Sequence, residues 1–262
     1  MGLPSRNPEP LLPSSPNHLF GLFKKRAERK AGVAKTIIEV LGNAPIFDGL
    51  SKQDLQQIRR IAVDRFYDRG RTVFSEGDEG DGFYMVASGR VKIYKLSPEG
   101  KEQILHIYGE GQPFGEVPVF AGKRFPANAQ TLVKSHLLFF PRTEFVQLIA
   151  ENPSLAMNML AVLSLRLRQF TVQVENLSLK EVPARLASYL IYLAQEQRTP
   201  GQVVLDISKG QLASLLGTIP ETLSRMFSRM SGRGLIEVDG KKIALLDVAG
   251  LKELAEQEAR LD

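Results

Sequence analysis

The sequence predicts an α+β chain with a strand-rich N-terminal half, a long connecting helix and a helical C-terminal module that closes in a β-hairpin. Three observations carry this expectation. Glycines recur at short intervals between residues 65 and 140, an apolar 3-4 repeat runs from Leu160 to Leu177, and two short helical segments joined by a tight turn precede an Asp-Gly hairpin signal.

At 262 residues the chain is long enough for two modest cores. Residues 1–35 are rich in proline and then basic, and are expected to form a disordered tail. They hold seven Lys/Arg against two acids, which is the whole of the +5 excess, because the remainder balances at 27 against 27. Net charge therefore implies nothing about a nucleic-acid partner, and Lys24 to Lys30 reads as a solvated segment rather than a binding arm. The scattered prolines stand where the apolar region of a signal peptide would lie. No apolar run reaches the roughly 20 residues of a membrane span. The longest candidate, Leu155 to Phe170, is broken by Asn158, Ser164, Arg166 and Arg168. The expected address is the cytoplasm, with no membrane partner. With no cysteine, the chain has no disulfide, no thiolate zinc site, no catalytic thiol and no cysteine-held iron–sulfur cluster.

Ser51 suits the cap of a packing helix through Leu55, Ile58 and Ile61. Beyond Arg65 come short β-branched and aromatic runs, with alternation in Phe83 to Val86 and Val91 to Leu96. A turn at Pro98-Glu-Gly100 then precedes Gln103 to Tyr108. A small sandwich or jelly-roll barrel accommodates them, and the barrel domain is placed at 36–150.

Asn152-Pro153 opens a long helix, with Asn152 as cap and the proline in the first turn. Leu160, Leu163, Leu167, Phe170, Val174 and Leu177 follow at spacings of 3, 4, 3, 4 and 3, the seam of a coiled coil. A helix lying on the barrel would also carry an apolar stripe, usually a broader one. The narrow repeat favours a parallel homodimer, with the dimerisation helix over 151–178.

The last segment, 179–262, starts with a helix containing Leu186, Leu190 and Leu193. Ser208-Lys-Gly-Gln211 has the form of a capping box. The helix it starts turns Leu212, Leu215 and Leu216 inward and ends at Gly217, and Pro220-Glu-Thr-Leu begins another: helix-turn-helix spacing. In the second helix Leu223, Met226, Phe227 and Met230 form the apolar face, while Glu221, Ser224, Arg225 and Ser228 share the opposite one. An Arg fork matches guanine, Glu accepts from the cytosine amino group and Ser suits several base edges, so Glu221, Ser224 and Arg225 are candidates for base contacts in double-stranded DNA. The alternative is that Glu221 completes a capping box with Thr218 and its neighbours are ordinary surface. Leu235 to Leu246, with Asp239-Gly240 as a type I′ turn, supplies a wing. Six basic residues face three acidic ones over 207–245, a local excess suited to phosphate. Ser208, Thr218, Thr222, Arg229, Lys241 and Lys242 are the candidate phosphate contacts.

This order of parts resembles the CRP/FNR superfamily of bacterial transcription regulators, over about Ile46 to Asp247. The resemblance is carried by Gly115-Glu116, Asn152-Pro153 and Ile219 to Arg225. It implies a double-stranded β-helix of the cyclic-nucleotide-binding type, a dimerisation helix and a winged helix-turn-helix. It further implies a DNA-binding regulator rather than an enzyme, with RNA polymerase as a partner and base contacts from Glu221, Ser224 and Arg225. The Glu-x-x-Ser-Arg form is similar to the FNR branch and implies a TTGAT-like half-site in an inverted pair. The effector pocket carried over is Gly115, Glu116, Arg124, Phe125, Pro126 and Ala127. In cyclic-AMP binders Gly-Glu meets the ribose and Arg-Ser-Ala clamps the phosphate. Here the second element reads Arg124-Phe-Pro-Ala127 without the serine, which disfavours a cyclic nucleotide. Haem reporting nitric oxide or carbon monoxide is a further family option, and its axial ligand would have to come from His18, His106 or His136. The effector stays open at this point. A metal-dependent enzyme on a cupin-type barrel lacks the paired histidines such a site needs.

Overall fold

The computed structural model describes residues 36–122 and 124–256, so the expectations for the tail and for His18 fall outside it. Two capping boxes open the fold. Thr36 and Glu39 start α1 (Ile37–Asn43), and Ser51 and Asp54 start α2 (Lys52–Ile61), each satisfying two amides that the first helical turn leaves without partners. A 3-10 turn, Pro45–Phe47, lies between them.

Eight antiparallel strands then build two facing sheets. They are β1 (Val63–Tyr67), β2 (Thr72–Phe74), β3 (Gly82–Ser88), β4 (Val91–Leu96), β5 (Glu102–Tyr108), β6 (Pro113–Phe114), β7 (Asn128–Thr131) and β8 (Ser135–Pro141), with a short α3 (Val117–Ala121) after β6. One sheet has the order β1-β8-β3-β6 and the other β2-β7-β4-β5. Sequence neighbours are thus often not sheet neighbours, as a jelly roll requires. Phe74, Val86, Val91, Tyr108, Phe114, Phe125 and Leu137 fill the space between the sheets. The outer face of the first sheet, including Phe83, Met85, Leu138 and Phe140, is covered by the helices. Because β3 and β8 are buried on both faces, they read as nearly continuous apolar runs and not as alternations.

After β8 the chain makes a helix that the sequence did not announce, α4 (Arg142–Glu151), and then turns by 114° into α5 (Ser154–Leu179). Asn152 ends α4, and its side-chain oxygen also accepts from Ser154 N–H at 3.2 Å, so the expected capping bond exists while the helix starts one residue later. No single helix among the described residues is long and apolar enough to cross a membrane.

The C-terminal module contains α6 (Val182–Gln197), β9 (Gln202–Val204), α7 (Lys209–Leu215), α8 (Pro220–Gly232), β10 (Ile236–Asp239), β11 (Lys242–Leu245) and α9 (Val248–Glu256). Its core gathers Leu186, Leu190, Leu212, Leu223, Phe227 and Ile243. The wing is a three-stranded sheet, β10-β11-β9. Its turn differs from the expected type I′. Asp239 pairs with Lys242, leaving Gly240 and Lys241 as the loop, and only Gly240 has a positive φ, +58°. Glycine alone at the first central position is the pattern of a type II′ turn, which spares Lys241 the left-handed region.

Phe83 is fully buried, stacks on Phe140 at 4.9 Å and meets the edge of Phe145 at 4.7 Å. Phe83→Ala should lower the stability of the barrel by about 3 to 5 kcal/mol. Urea unfolding followed by near-ultraviolet circular dichroism measures this, and an unchanged midpoint would contradict the packing described.

Candidate nucleic-acid interface

Helix α7 starts where Ser208 Oγ accepts from Gln211 N–H at 3.1 Å and Gln211 Oε1 accepts from Ser208 N–H at 2.8 Å. It ends at Gly217, whose φ of +65° reverses the chain, and a Cβ there would stand 2.9 Å from Leu177. The positive φ is what favours glycine here, since the Leu177 methyl lies at the end of a side chain that can move aside. Arg185 Nη1 donates to Leu216 O at 2.7 Å and so holds the end of α7, while burial lowers the guanidinium's affinity for its proton. Helix α8 then begins with Ile219 at the cap position and no side-chain cap. The second capping box between Thr218 and Glu221 is therefore absent, and the Glu221 carboxylate is not spent on it.

The amphipathic division of α8 is as expected. Leu223, Phe227 and Met230 are buried, whereas Glu221, Ser224, Arg225 and Ser228 are exposed along one side. Arg225 Nη2 donates to Thr222 Oγ1 at 3.2 Å, which steadies the guanidinium near the start of the helix. Arg229, Lys241 and Lys242 are exposed, as is Ser208, while Thr218 and Thr222 are half-buried. The polar stripe, the unpaired amides of the first turn of α8 and the cationic wing tip thus belong to one rigid module.

That module is seated on the edge of the barrel. Strand β5 is an edge strand, and Ser214 of α7 covers it. Ser214 Oγ accepts from Ile104 N–H at 3.0 Å and donates to Glu102 O at 2.8 Å, while Gln103 Nε2 donates to Ser214 O at 2.7 Å. Arg90 pairs with Asp206 nearby, and Leu132 and Ile107 of the barrel enter the apolar core of the module. None of these contacts uses the polar stripe. Gln103, Ser214, Arg90 and Asp206 carried no local signal in the sequence.

Strand β5 also reaches the predicted effector pocket. Beyond a bulge at Leu105, His106 and Tyr108 of the same strand face α5, while Ile107 between them faces the module. Opposite them Arg166 pairs with Glu116, also donates to Pro113 O, and lies over the Tyr108 ring at 4.9 Å. The sequence showed Arg166 only as a break in an apolar run, and that break was the available signal. Phe125 turns inward and stacks on Phe74 at 3.8 Å, and Ala127 is buried. Arg124 is 66% exposed and bonds outward to Gly77 O and Glu79. The residues Arg124 to Ala127 therefore do not converge on Glu116 as one clamp.

Neither haem nor a metal centre fits these residues. The cleft lined by His106, Tyr108, Arg166, Gln169, Phe170 and Gln173 has room for about one water. His136 is engaged with Asp64 at 2.7 Å and stacked on Phe66. No cluster of three metal-ligating side chains occurs among the described residues.

On α5, Leu155, Met159 and Val162 are buried against the barrel, and Leu160, Leu167 and Val174 are 57%, 69% and 63% exposed. Two members of the expected seam are used within the chain. Leu163 leans on the barrel core and Leu177 packs at Gly217. Phe170 stands beside the cleft at the flank of the exposed stripe.

Comparison with known proteins agrees with this geometry. Residues 64–152 match the family described as the cyclic nucleotide-binding domain, and residues 184–254 match the Crp-like helix-turn-helix domain. The chain is 31% identical to the CRP-like cAMP-activated global transcriptional regulator of Mycobacterium tuberculosis, over 80% of this chain and 95% of that one. It is 30% identical to the cyclic AMP receptor protein of Thermus thermophilus, over 81% and 97%. A solved structure of a CRP/FNR-family transcriptional regulator, also from Thermus thermophilus, superposes with a TM-score of 0.61 at 28% identity, covering 74% of this chain and 99% of that one.

Burial, with the Arg166 charge adding to it, pushes the His106 pKa down from 6.5 to about 4. Below about pH 6.5 the unfolded chain takes up a proton that the folded one refuses. The contribution of His106 is therefore complete above that pH and is lost progressively as pH falls toward about 4. His106→Gln should flatten the fall of the thermal midpoint across this interval, and identical pH profiles for the two proteins would refute the assignment.

Proposed function

We propose that this chain, which belongs to the CRP/FNR superfamily of DNA-binding transcription regulators and is not an enzyme, works as a homodimer that reads an inverted repeat. The barrel (36–150) is the regulatory input, the helix over 151–178 joins two copies, and the module over 179–262 reads DNA. Glu221, Ser224 and Arg225 contact base edges, and Ser208, Thr218, Thr222, Arg229, Lys241 and Lys242 contact phosphates. The half-site is TTGAT-like, as the Glu-x-x-Ser-Arg form implies. Promoter-bound dimers engage RNA polymerase in the cytoplasm.

The observation that carries this reading is the exposed polar stripe of α8, held clear of the barrel while α7 is fastened to it. A major groove admits one helix, and a two-fold pair of such helices meets successive grooves about 34 to 36 Å apart. The exposed apolar stripe on α5 supports the pairing, because Leu160, Leu167 and Val174 fall at the seven-residue interval of a two-helix seam. Cyclic AMP, to which two relatives owe their names, is disfavoured by the aromatic filling of the pocket.

Selection from a random duplex library should return an inverted repeat. Arg225→Ala should lose about 1 to 3 kcal/mol of discrimination at its guanine while nonspecific binding persists. Discrimination at every position equal to that of the unmodified protein would remove Arg225 from the readout.

A further inference from the structure

Only Lys180 and Glu181 link α5 to α6, and with them the barrel to the reading module. So short a link does not by itself fix the module's orientation, since each residue keeps two soft dihedral angles. A second attachment removes that freedom. At the last turn of α7 the reader meets β5, α6 and α5 together. Ser214 Oγ bridges the main chain of Glu102 and Ile104, and Gln103 Nε2 donates to Ser214 O. Arg185 of α6 donates to Leu216 O, and Leu177 of α5 lies against Gly217. Beside this junction Arg90 pairs with Asp206, and Leu132 and Ile107 of the barrel pack into the module's apolar core.

Helix α8 starts at Pro220, just beyond the junction, so the junction sets the tilt of the polar stripe relative to the barrel. Glu221, Ser224 and Arg225 take no part in these contacts and remain exposed. The seat therefore orients the reading face without covering it, whereas an inhibitory contact would bury that face. Orientation matters because two rigidly held readers fit one separation of half-sites. One extra base pair between the half-sites moves the second by about 3.4 Å along the duplex and turns it by roughly 35°. Readers free to swivel can follow that displacement. A fixed pair loses one of its two half-sites and with it the gain from simultaneous engagement.

We propose that Ser214, Gln103 and Arg90 form a seat that selects the spacing between half-sites, the seated reader being the form that binds DNA. They are positioning residues, and none of them touches a nucleotide. The spacing role rests on the two-fold reading proposed above, whereas the existence of the seat in solution does not.

Fluorescence anisotropy on the selected inverted repeat, on the same repeat lengthened by one base pair, and on a single half-site tests this. The unmodified chain should prefer the selected spacing by about tenfold or more. Ser214→Ala should lower that preference by about fivefold, and so should Arg90→Met/Gln103→Ala, which leaves every residue of the reader in place. Affinity for the single half-site should stay within about twofold in both, which reports that the reader is folded. An unchanged spacing preference in both variants would overturn the proposal. Tighter binding of the inverted repeat by either would also overturn it, because the seat would then be a restraint released for reading. In the free protein, Ser214→Ala should speed hydrogen exchange at the Ile104 amide by about tenfold, and an unchanged rate would contradict the seat itself. If the unmodified chain binds no inverted repeat, the two-fold reading fails and the spacing role falls with it, while exchange at Ile104 still reports on the seat.

Discussion

Helix α5 has to satisfy two partners at once, and the rest of the molecule is arranged around that constraint. One side, from Leu155 through Val162 to Arg166, belongs to the barrel, first by apolar burial and then by an ion pair. The other side carries Leu160, Leu167 and Val174 into solvent. An apolar stripe of this kind on a long helix is stable only if something covers it, and a second copy of the same helix is the simplest cover. Because α6 and the reading module follow directly from the end of α5, the angle at which two such helices cross would set the separation of the readers in the proposed pair.

Strand β5 connects the same helix to the reader by a second route. Its first half is fastened to Ser214 of α7, its second half places His106 and Tyr108 against α5, and the bulge at Leu105 lies between them. A shift of α5 relative to the barrel would be felt at Tyr108 through Arg166, and a shift of α7 would be felt at Ile104. Both ends rest on one strand that is hydrogen-bonded to β4, so neither moves without straining the other. A connection of this kind is what the proposed control of DNA binding by the barrel would require.

Local features were the most legible in the sequence. The cap at Ser51 and the capping box at Ser208 are visible because a cap is decided by residues a few apart, and β3, β4 and β5 are visible through short alternating or apolar runs between glycines. Strand β8 and helix α4 were harder, since Leu137 to Phe140 is buried on both faces and α4 follows without any glycine to mark a boundary. The polar stripe of α8 was read correctly as a face because helical spacing alone defines it. On α5 periodicity identifies an apolar position without saying which partner it meets, and Leu163 and Leu177 also touch their own chain. Contacts such as Arg166 with Glu116 or Ser214 with Ile104 join residues distant in sequence, and no local pattern encodes them.

The pairing of two α5 helices is the claim on which the two-fold reading of DNA rests. Sedimentation velocity of the full chain, compared with Leu160→Glu/Leu167→Glu, tests it directly. The account predicts a mass of two chains for the unmodified protein and of one chain for the variant, each with an intact circular dichroism spectrum. A single-chain mass for the unmodified protein, or a two-chain mass for the variant, would contradict it.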